Sequence, residues 1–224
     1  MKIVAAKKIL KANDQLAEEN RAKLTAAGVF CVNVVGSPGA GKTTLLEALF
    51  AALGTRVRPA VIEGDIAGSI DAERIEKLGI PVVQINTDGA CHLDAVMVAA
   101  AAESFDFGQI DLMMVENVGN LVCTAGFDLG EHLRIIVLSV SEGDDKAVKY
   151  PAIFQGSDAL LITKSDLLPY SNFSVQRITA DMKRLAPKAE IFQVAAISGQ
   201  GIPAAADWLA EKCASLRTSP PRPN

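Results

Sequence analysis

From Val29 onward, short apolar runs rich in β-branched residues alternate with stretches whose apolar residues recur at helical spacing. That alternation predicts a parallel sheet with helices on both faces. The runs are residues 29–35, 58–63, 82–86, 112–116, 135–140, 160–163 and 190–194, and most of their positions are apolar. Such strands are buried on both faces. Between them the pattern predicts helices over 42–53, 69–78, 92–104, 174–186 and 203–216. Ahead of the first strand, Ile3, Leu10, Ala17 and Leu24 recur every seven residues, with Ile9 and Leu16 beside them. This predicts an N-terminal helix within residues 1–27, packed on the domain. The closing RTSPPRPN is polar and Pro-rich, so residues 218–224 are expected to be a frayed, disordered tail. Residues 1–217 are read as one domain of class α/β, three layers deep, around a mostly parallel sheet of about seven strands.

Composition narrows the partners. The chain has 224 residues, 50% of them hydrophobic, with a formal net charge of -4 and a pI near 5.3. A mildly acidic protein has no general attraction to nucleic acid or anionic membranes. No apolar stretch approaches a membrane span, and the N-terminus breaks its apolar runs with Lys, Asn and Asp, unlike a signal peptide. A cytoplasmic location is expected. Four cysteines in a chain of this size are core residues or metal ligands rather than a disulfide framework.

Residues 36–43 read GSPGAGKT. Gly36, Ser37, Pro38, Gly39, Ala40, Gly41, Lys42 and Thr43 thus satisfy G-x-x-x-x-G-K-[ST] between an apolar strand and a helix, the context this motif needs. The glycines let backbone N–H groups turn inward around phosphates, and the helix presents its positive end to them. Lys42 can reach β- and γ-phosphate oxygens, the Thr43 hydroxyl can ligate Mg²⁺, and Thr44 follows at the helix start. The fold is therefore read as a P-loop NTPase.

The choice of base rests on later strand ends. TKSD at 163–166 has the manner of the N-K-x-D guanine motif: Asp166 can accept both the N1–H and the exocyclic amine of guanine, and Lys164 can lie along the ring and hold the loop. Thr163 stands where Asn is usual, which is expected to weaken loop bracing. In VAAISGQG at 194–201, Ala196 is the candidate backbone donor to guanine O6. Glu116, ending an apolar run in LMMVENVG, is a candidate for the Mg²⁺ shell, and Gly119 three residues on for sensing the γ-phosphate. Asp65, in IEGDIAGSID, is a second Mg²⁺ ligand or orients the attacking water. Lys42, Asp65 and Glu116 form the candidate catalytic set. A kinase or transport-type ATPase on the same fold remains a rival reading.

One of the two histidines, His92, directly follows Cys91, and Cys123 closes ENVGNLVC. Thiolate and imidazole favour Zn²⁺ and can hold Ni²⁺. From spacing alone, buried thiols and a helix-capping histidine explain the same residues. Cys31 and Cys213 read as core residues, and His132 as a surface or loop residue.

Taken together, the strings KANDQLAEENR, GSPGAGKTTLLE, EGDIAGSIDAERI, GACHLDA, VENVGNLVC, DLGEHLRIIVLSVSEGDDKAVKYP and TKSDLLPY resemble the hydrogenase nickel-incorporation GTPases (HypB-like), relatives of the urease accessory GTPase. The resemblance covers nearly the whole chain. It implies GTP hydrolysis, with Mg²⁺, coupled to nickel delivery into the hydrogenase large subunit precursor. It also implies a GTP-dependent homodimer, other nickel-insertion accessory proteins as partners, and a Ni²⁺ or Zn²⁺ site of Cys91, His92 and Cys123. Lys146, in SEGDDKAVKYP, becomes a candidate for reaching nucleotide or partner across the dimer. Urease or another metalloenzyme stays open as the client.

Overall fold

The computed structural model describes residues 6–218, with side chains over 10–216. The seven apolar runs fold as β1 (Phe30–Gly36), β2 (Pro59–Asp65), β3 (Val82–Asn86), β4 (Leu112–Glu116), β5 (Leu133–Ser139), β6 (Ala159–Thr163) and β7 (Glu190–Gln193). They make one sheet in the order β3-β2-β4-β1-β5-β6-β7, and every neighbouring pair is parallel. The first strand is central, so the loop that follows it opens at the middle of the sheet's C-terminal edge, where ligands bind in open α/β sheets. β1, β4 and β6 are buried along their whole length, whereas the edge strands β3 and β7 are half exposed.

Helices cover both faces. α1 (Ala6–Ala26), α2 (Lys42–Leu53), α3 (Ile70–Glu76), α4 (Ala95–Ala102), α5 (Lys146–Lys149), α6 (Pro151–Gln155), α7 (Val175–Leu185) and α8 (Ile202–Thr218) follow in chain order with the strands between them. Alternate strand residues point to opposite layers. Val32, Val34 and Met114 pack with Leu45, Leu49 and Leu209 of α2 and α8, while Cys31, Ile62 and Met113 pack with Leu24 and Val98 of α1 and α4. A third cluster joins Ile136 and Leu160 to Phe154, Ile178 and Met182 of α6 and α7.

The predicted N-terminal helix packs on the sheet through Ala17 and Leu24, both buried. Two polar residues share that face. The Asn13 amide donates to the Asp128 carbonyl (2.8 Å) and its oxygen accepts from Ala95 N (2.9 Å). Asn20 Nδ2 donates to the carbonyls of Ala95 (2.9 Å) and Leu129 (3.2 Å). α1 is thus held by hydrogen bonds to other segments' backbone as well as by apolar burial. Ile3, the Ile9 side chain and the tail beyond Thr218 lie outside the described residues.

Two local differences from the sequence reading matter. α4 begins at Ala95, because the Asp94 carboxylate caps it by accepting from Met97 N (2.8 Å). Cys91 and His92 are therefore in the preceding loop, not in the helix. α5 and α6 were not anticipated; each is a single turn or so, and they meet at Tyr150, just ahead of Pro151 at the first position of α6. His132 is in the loop ahead of β5, as expected, and is half-buried there: it stacks on Phe30 (5.2 Å between centroids), and its Nδ1 accepts from Cys31 N (2.9 Å). Cys31 and Cys213 are buried in the core, as expected.

Candidate functional site

Gly36 closes β1 where an added Cβ would stand 2.6 Å from the Val137 carbonyl oxygen, so the strand end admits only glycine. Gly41, at φ 88°, turns the chain into α2 with no side chain capping the helix. The first N–H groups of α2 are left for an anion. Lys42 and Thr43 are both buried here. The Thr43 hydroxyl donates to Glu116 Oε1 (3.0 Å), and Lys42 Nζ lies 3.9 Å from the same oxygen. Thr44 is directed elsewhere: its hydroxyl accepts from Arg74 (2.9 Å), which also bridges to Glu47 and Asp71.

A second carboxylate joins Glu116. Glu63, one strand over, is its register partner, and with Asp71 these make a trio of candidate ligand oxygens all within 4.8 Å. Glu63 Oε2 and Glu116 Oε2 are buried with no hydrogen-bond partner. Burial, then the charge of Glu116, raises the Glu63 carboxyl far above the usual carboxylate range; burial raises Glu116 too, against the pull of Lys42. Asp65 is not in the trio: it lies one strand repeat beyond Glu63, where its carboxylate accepts from Ala67 N (3.2 Å) and Gly68 N (3.4 Å). Hard oxygens with unsatisfied lone pairs suit Mg²⁺, so the donor set fits that ion.

On the other side of the loop, the Thr163 hydroxyl donates to the Ala40 carbonyl (2.6 Å). A threonine at this strand end thus reaches the phosphate loop directly. Lys164, at φ 55°, donates to the Gly39 carbonyl (2.9 Å). Asp166 is exposed in the turn after β6, and Ala196 lies half-buried in the loop after β7; Ser165 N donates to Val194 O (3.1 Å), tying the two segments together. Gly119 lies against Pro38 so closely that a Cβ would meet Pro38 N at 2.9 Å. Lys146 instead has its ammonium 5.6 Å from the ring centroid of its helix neighbour Tyr150.

Cys91 Sγ is 3.8 Å from His92 Nδ1, and the neighbouring Cys91 thiol raises that of Cys123. The loops after β3 and β4 therefore meet at Cys91. The three ligand atoms do not close on one point, for the carboxylate trio is the one compact group of such atoms among the described residues. His92 is stacked on Phe127, 3.8 Å between centroids.

Residues 30–193 match the CobW/HypB/UreG nucleotide-binding domain. The chain belongs to the CobW/HypB/UreG family. Within it, the hydrogenase maturation factor HypB of Azotobacter vinelandii is 48% identical over 202 residues, covering 90% of this chain and 66% of that protein. The hydrogenase/urease maturation factor HypB of Helicobacter hepaticus is 40% identical over 209 residues, 92% of this chain and 86% of that one. The crystal structure of HypB from Helicobacter pylori in complex with nickel has a TM-score of 0.87 and 36% identity, covering 95% of this chain and 100% of that one. This HypB-type chain spans about two thirds of the length of the first of these relatives.

The sequence pattern did not reveal which polar residues organise this HypB-type site. Glu63 reads as the polar end of an apolar strand, and only its register with Glu116 gives it a partner. Asn120 shapes the Cys123 turn by accepting from Val122 N (2.7 Å) and Cys123 N (2.9 Å). Asn117 Oδ1 accepts from Leu93 N (3.1 Å), across the sheet edge. Two asparagines, Asn117 and Asn120, close behind an acidic strand end were the available signal for the last two.

Proposed function

We propose that this chain binds and hydrolyses GTP and uses the nucleotide cycle to control a nickel cargo during hydrogenase maturation. The observation that carries the reading is the Glu116–Cys123 run: its first residue bonds Thr43 at the phosphate loop, its middle packs Gly119 on Pro38, and its last lies beside Cys91. One seven-residue step separates the phosphate loop from the thiols, so a shift at one end is felt at the other.

In this mechanism, the loop Gly36, Ser37, Pro38, Gly39, Ala40 and Gly41 wraps the phosphates with backbone N–H groups, joined by those of Thr43 and Thr44. Lys42 supplies a positive charge to the β- and γ-phosphate oxygens. When bound, Mg²⁺ neutralises phosphate charge, and Thr43, Glu116 and Glu63 are the residues that would hold it. Asp65 holds the 66–69 turn beside the γ-phosphate. Water attacks the γ-phosphorus, the bond to the β-bridging oxygen breaks, and GDP and phosphate leave. Gly119 N–H reports the γ-phosphate. Asp166 reads the guanine edge, Lys164 holds the loop beneath the ring, and Ala196 offers its N–H to O6. Cys91, His92 and Cys123 take the cargo metal, Ni²⁺ or Zn²⁺, with His92 leaving its Phe127 stack to join the thiols.

The chain works in the cytoplasm as a GTP-dependent homodimer built on the domain of residues 1–217, with Lys146 at the subunit contact. The hydrogenase large subunit precursor and other insertion proteins are its partners. A second client is favoured by one finding: a relative spanned over most of its length is named for both hydrogenase and urease. No described helix is long and apolar enough to cross a membrane.

The test is phosphate release from GTP against ATP, with Ni²⁺ and Zn²⁺ titrations in the GDP and GTP-analogue states and oligomeric state followed in parallel. Lys42→Ala should abolish hydrolysis and spare metal binding; Cys91→Ala or Cys123→Ala should do the reverse. Equal competition by ATP, or metal constants identical in both nucleotide states with unchanged oligomeric state, would overturn the reading.

A further inference from the structure

The Cys91–His92 loop has two anchors of different kinds. At its far end, Ala95 N and O are both bonded to α1, through Asn13 (2.9 Å) and Asn20 (2.9 Å). At its near end, Leu93, the residue directly after His92, is bonded to the nucleotide-facing strand ends. Its amide donates to Asn117 Oδ1 (3.1 Å), and its side chain lies so close to Gly64, between Glu63 and Asp65, that a Cβ there would stand 2.7 Å from Leu93 Cδ1. Both Leu93 and Asn117 are buried.

Asn117 follows Glu116 in the chain, and its own N–H donates to Val34 O (3.0 Å) on β1, two residues before the phosphate loop begins. Its side-chain oxygen also accepts from Val118 N (3.0 Å), and its amide donates to Asn33 Oδ1 (3.2 Å), which in turn bonds Glu131 through Asn33 Nδ2 (3.2 Å). Both polar atoms of the Asn117 side chain therefore have partners, and one of those partners is the backbone of the thiol–imidazole loop. A buried amide can be a purely structural cross-link. Here the cross-link joins a strand end that contacts the phosphate loop to a segment whose other end is fixed on α1. Both anchors follow His92 in the chain, so displacement of the first moves Leu93, and His92 joined to it, against the fixed Ala95.

We infer that Asn117 is the positioning residue that carries nucleotide state to the Cys91–His92 loop, by holding Leu93 N–H to the Glu116 strand end. This rests on the proposed function and adds a second limb to it, parallel to the Gly119–Cys123 segment. Loss of Asn117 leaves the thiols and the phosphate loop intact but lets Leu93 ride with α4 and α1 alone. Asn117 acts through Leu93 and touches neither nucleotide nor metal in this account.

The experiment uses the whole chain, with Ni²⁺ as the metal probe and hydrogen exchange of residues 87–96 as a readout that needs no metal. The wild type should show different Leu93 amide exchange in the GDP and GTP-analogue states, and a ratio of Ni²⁺ dissociation constants between those states of about fivefold or more. Asn117→Ala should bring that ratio to about one and erase the nucleotide dependence of exchange. Asn33→Ala removes two buried hydrogen bonds, to Asn117 Nδ2 and to Glu131, but leaves Leu93 N–H bonded to Asn117 Oδ1, so it should lower thermal stability and keep the ratio. A wild-type ratio of one sinks the functional reading itself. A wild-type ratio that Asn117→Ala retains, or that Asn33→Ala loses equally, sinks only the assignment of Asn117.

Discussion

Glu63 and Glu116 are register partners on neighbouring strands, and each buries one carboxylate oxygen that no protein group satisfies. Beside the single ammonium of Lys42, burial and mutual repulsion still oppose charging both groups. In the metal-free protein the folded state keeps a proton on Glu63 well above 4.5, where the unfolded chain has lost it. The folded state then binds more protons, so its stability falls as pH rises from about 4.5. Glu63→Gln imitates the protonated form. It should raise the melting temperature of metal-free, nucleotide-free protein at pH 8 while lowering Mg²⁺ affinity of the nucleotide complex about 10- to 100-fold. Calorimetry with and without Mg²⁺ checks both; a lower melting temperature with unaltered Mg²⁺ dependence would remove Glu63 from the site.

Thr163 and Asp166 sit three residues apart and should fail in different ways. Thr163→Val leaves the Ala40 carbonyl without its 2.6 Å donor, a cost of about 1–3 kcal/mol for a buried acceptor. The phosphate loop serves every nucleotide, so GTP and ATP should weaken together. If Asp166 reads guanine as proposed, Asp166→Ala would remove two charge-assisted hydrogen bonds to the base and should cut GTP-over-ATP discrimination by roughly 100-fold or more. Competition binding with both nucleotides separates the two, and a Thr163 variant that altered the ratio would break this division of labour.

The legible part of this molecule was the part written in period and motif. Seven apolar runs became seven parallel strands because strands buried on both faces need continuous apolar sequence, and GSPGAGKT declared its own strand-loop-helix setting. What stayed hidden depends on which strand lies beside which. Glu63 and Glu116 are far apart in the chain, and only the β2–β4 register makes them neighbours. Asn13 and Asn20 interrupt an apolar stripe, so a pattern search discounts them, yet they hold α1 by pairing with backbone at Ala95, Asp128 and Leu129. Asp65 was singled out for its place at a strand end; it shares the face of Glu63 two residues further along, and its carboxylate is held by the Ala67 and Gly68 amides.

Gly130 controls the docking of α1. It has φ +91°, and an added Cβ would stand 2.6 Å from both Ala17 O and Asn20 Cβ. Neither can yield without moving the helix. Gly130→Ala should destabilise the protein by about 1–3 kcal/mol or more and raise amide exchange along α1. Gly126→Ala is the control, since nothing lies within 4 Å of a Cβ there. If both variants melt alike, α1 docking does not depend on that close approach.

His132 gives the fold an acid-sensitive joint between α1 and β1. Its Nδ1 accepts from Cys31 N (2.9 Å), and its Nε2 meets Thr25 Oγ1 at 2.8 Å. The Thr25 hydroxyl is already donated to the Arg21 carbonyl (2.6 Å), so Nε2 must carry the proton and the ring is neutral. Burial, then the Arg21 charge, lowers its pKa from 6.5 to about 4. The unfolded chain therefore binds the extra proton first as pH falls. The contribution of His132 to stability is complete above pH 6.5 and is lost as pH drops toward 4. His132→Asn keeps an acceptor for Cys31 N but cannot titrate. It should be less stable than the wild type at pH 7, because the Thr25 bond and the Phe30 stack are gone, and should lose less stability between pH 6.5 and 4. Denaturant unfolding across that range decides the matter, since parallel pH profiles for the two proteins would mean that protonation of this ring is not what loosens the joint.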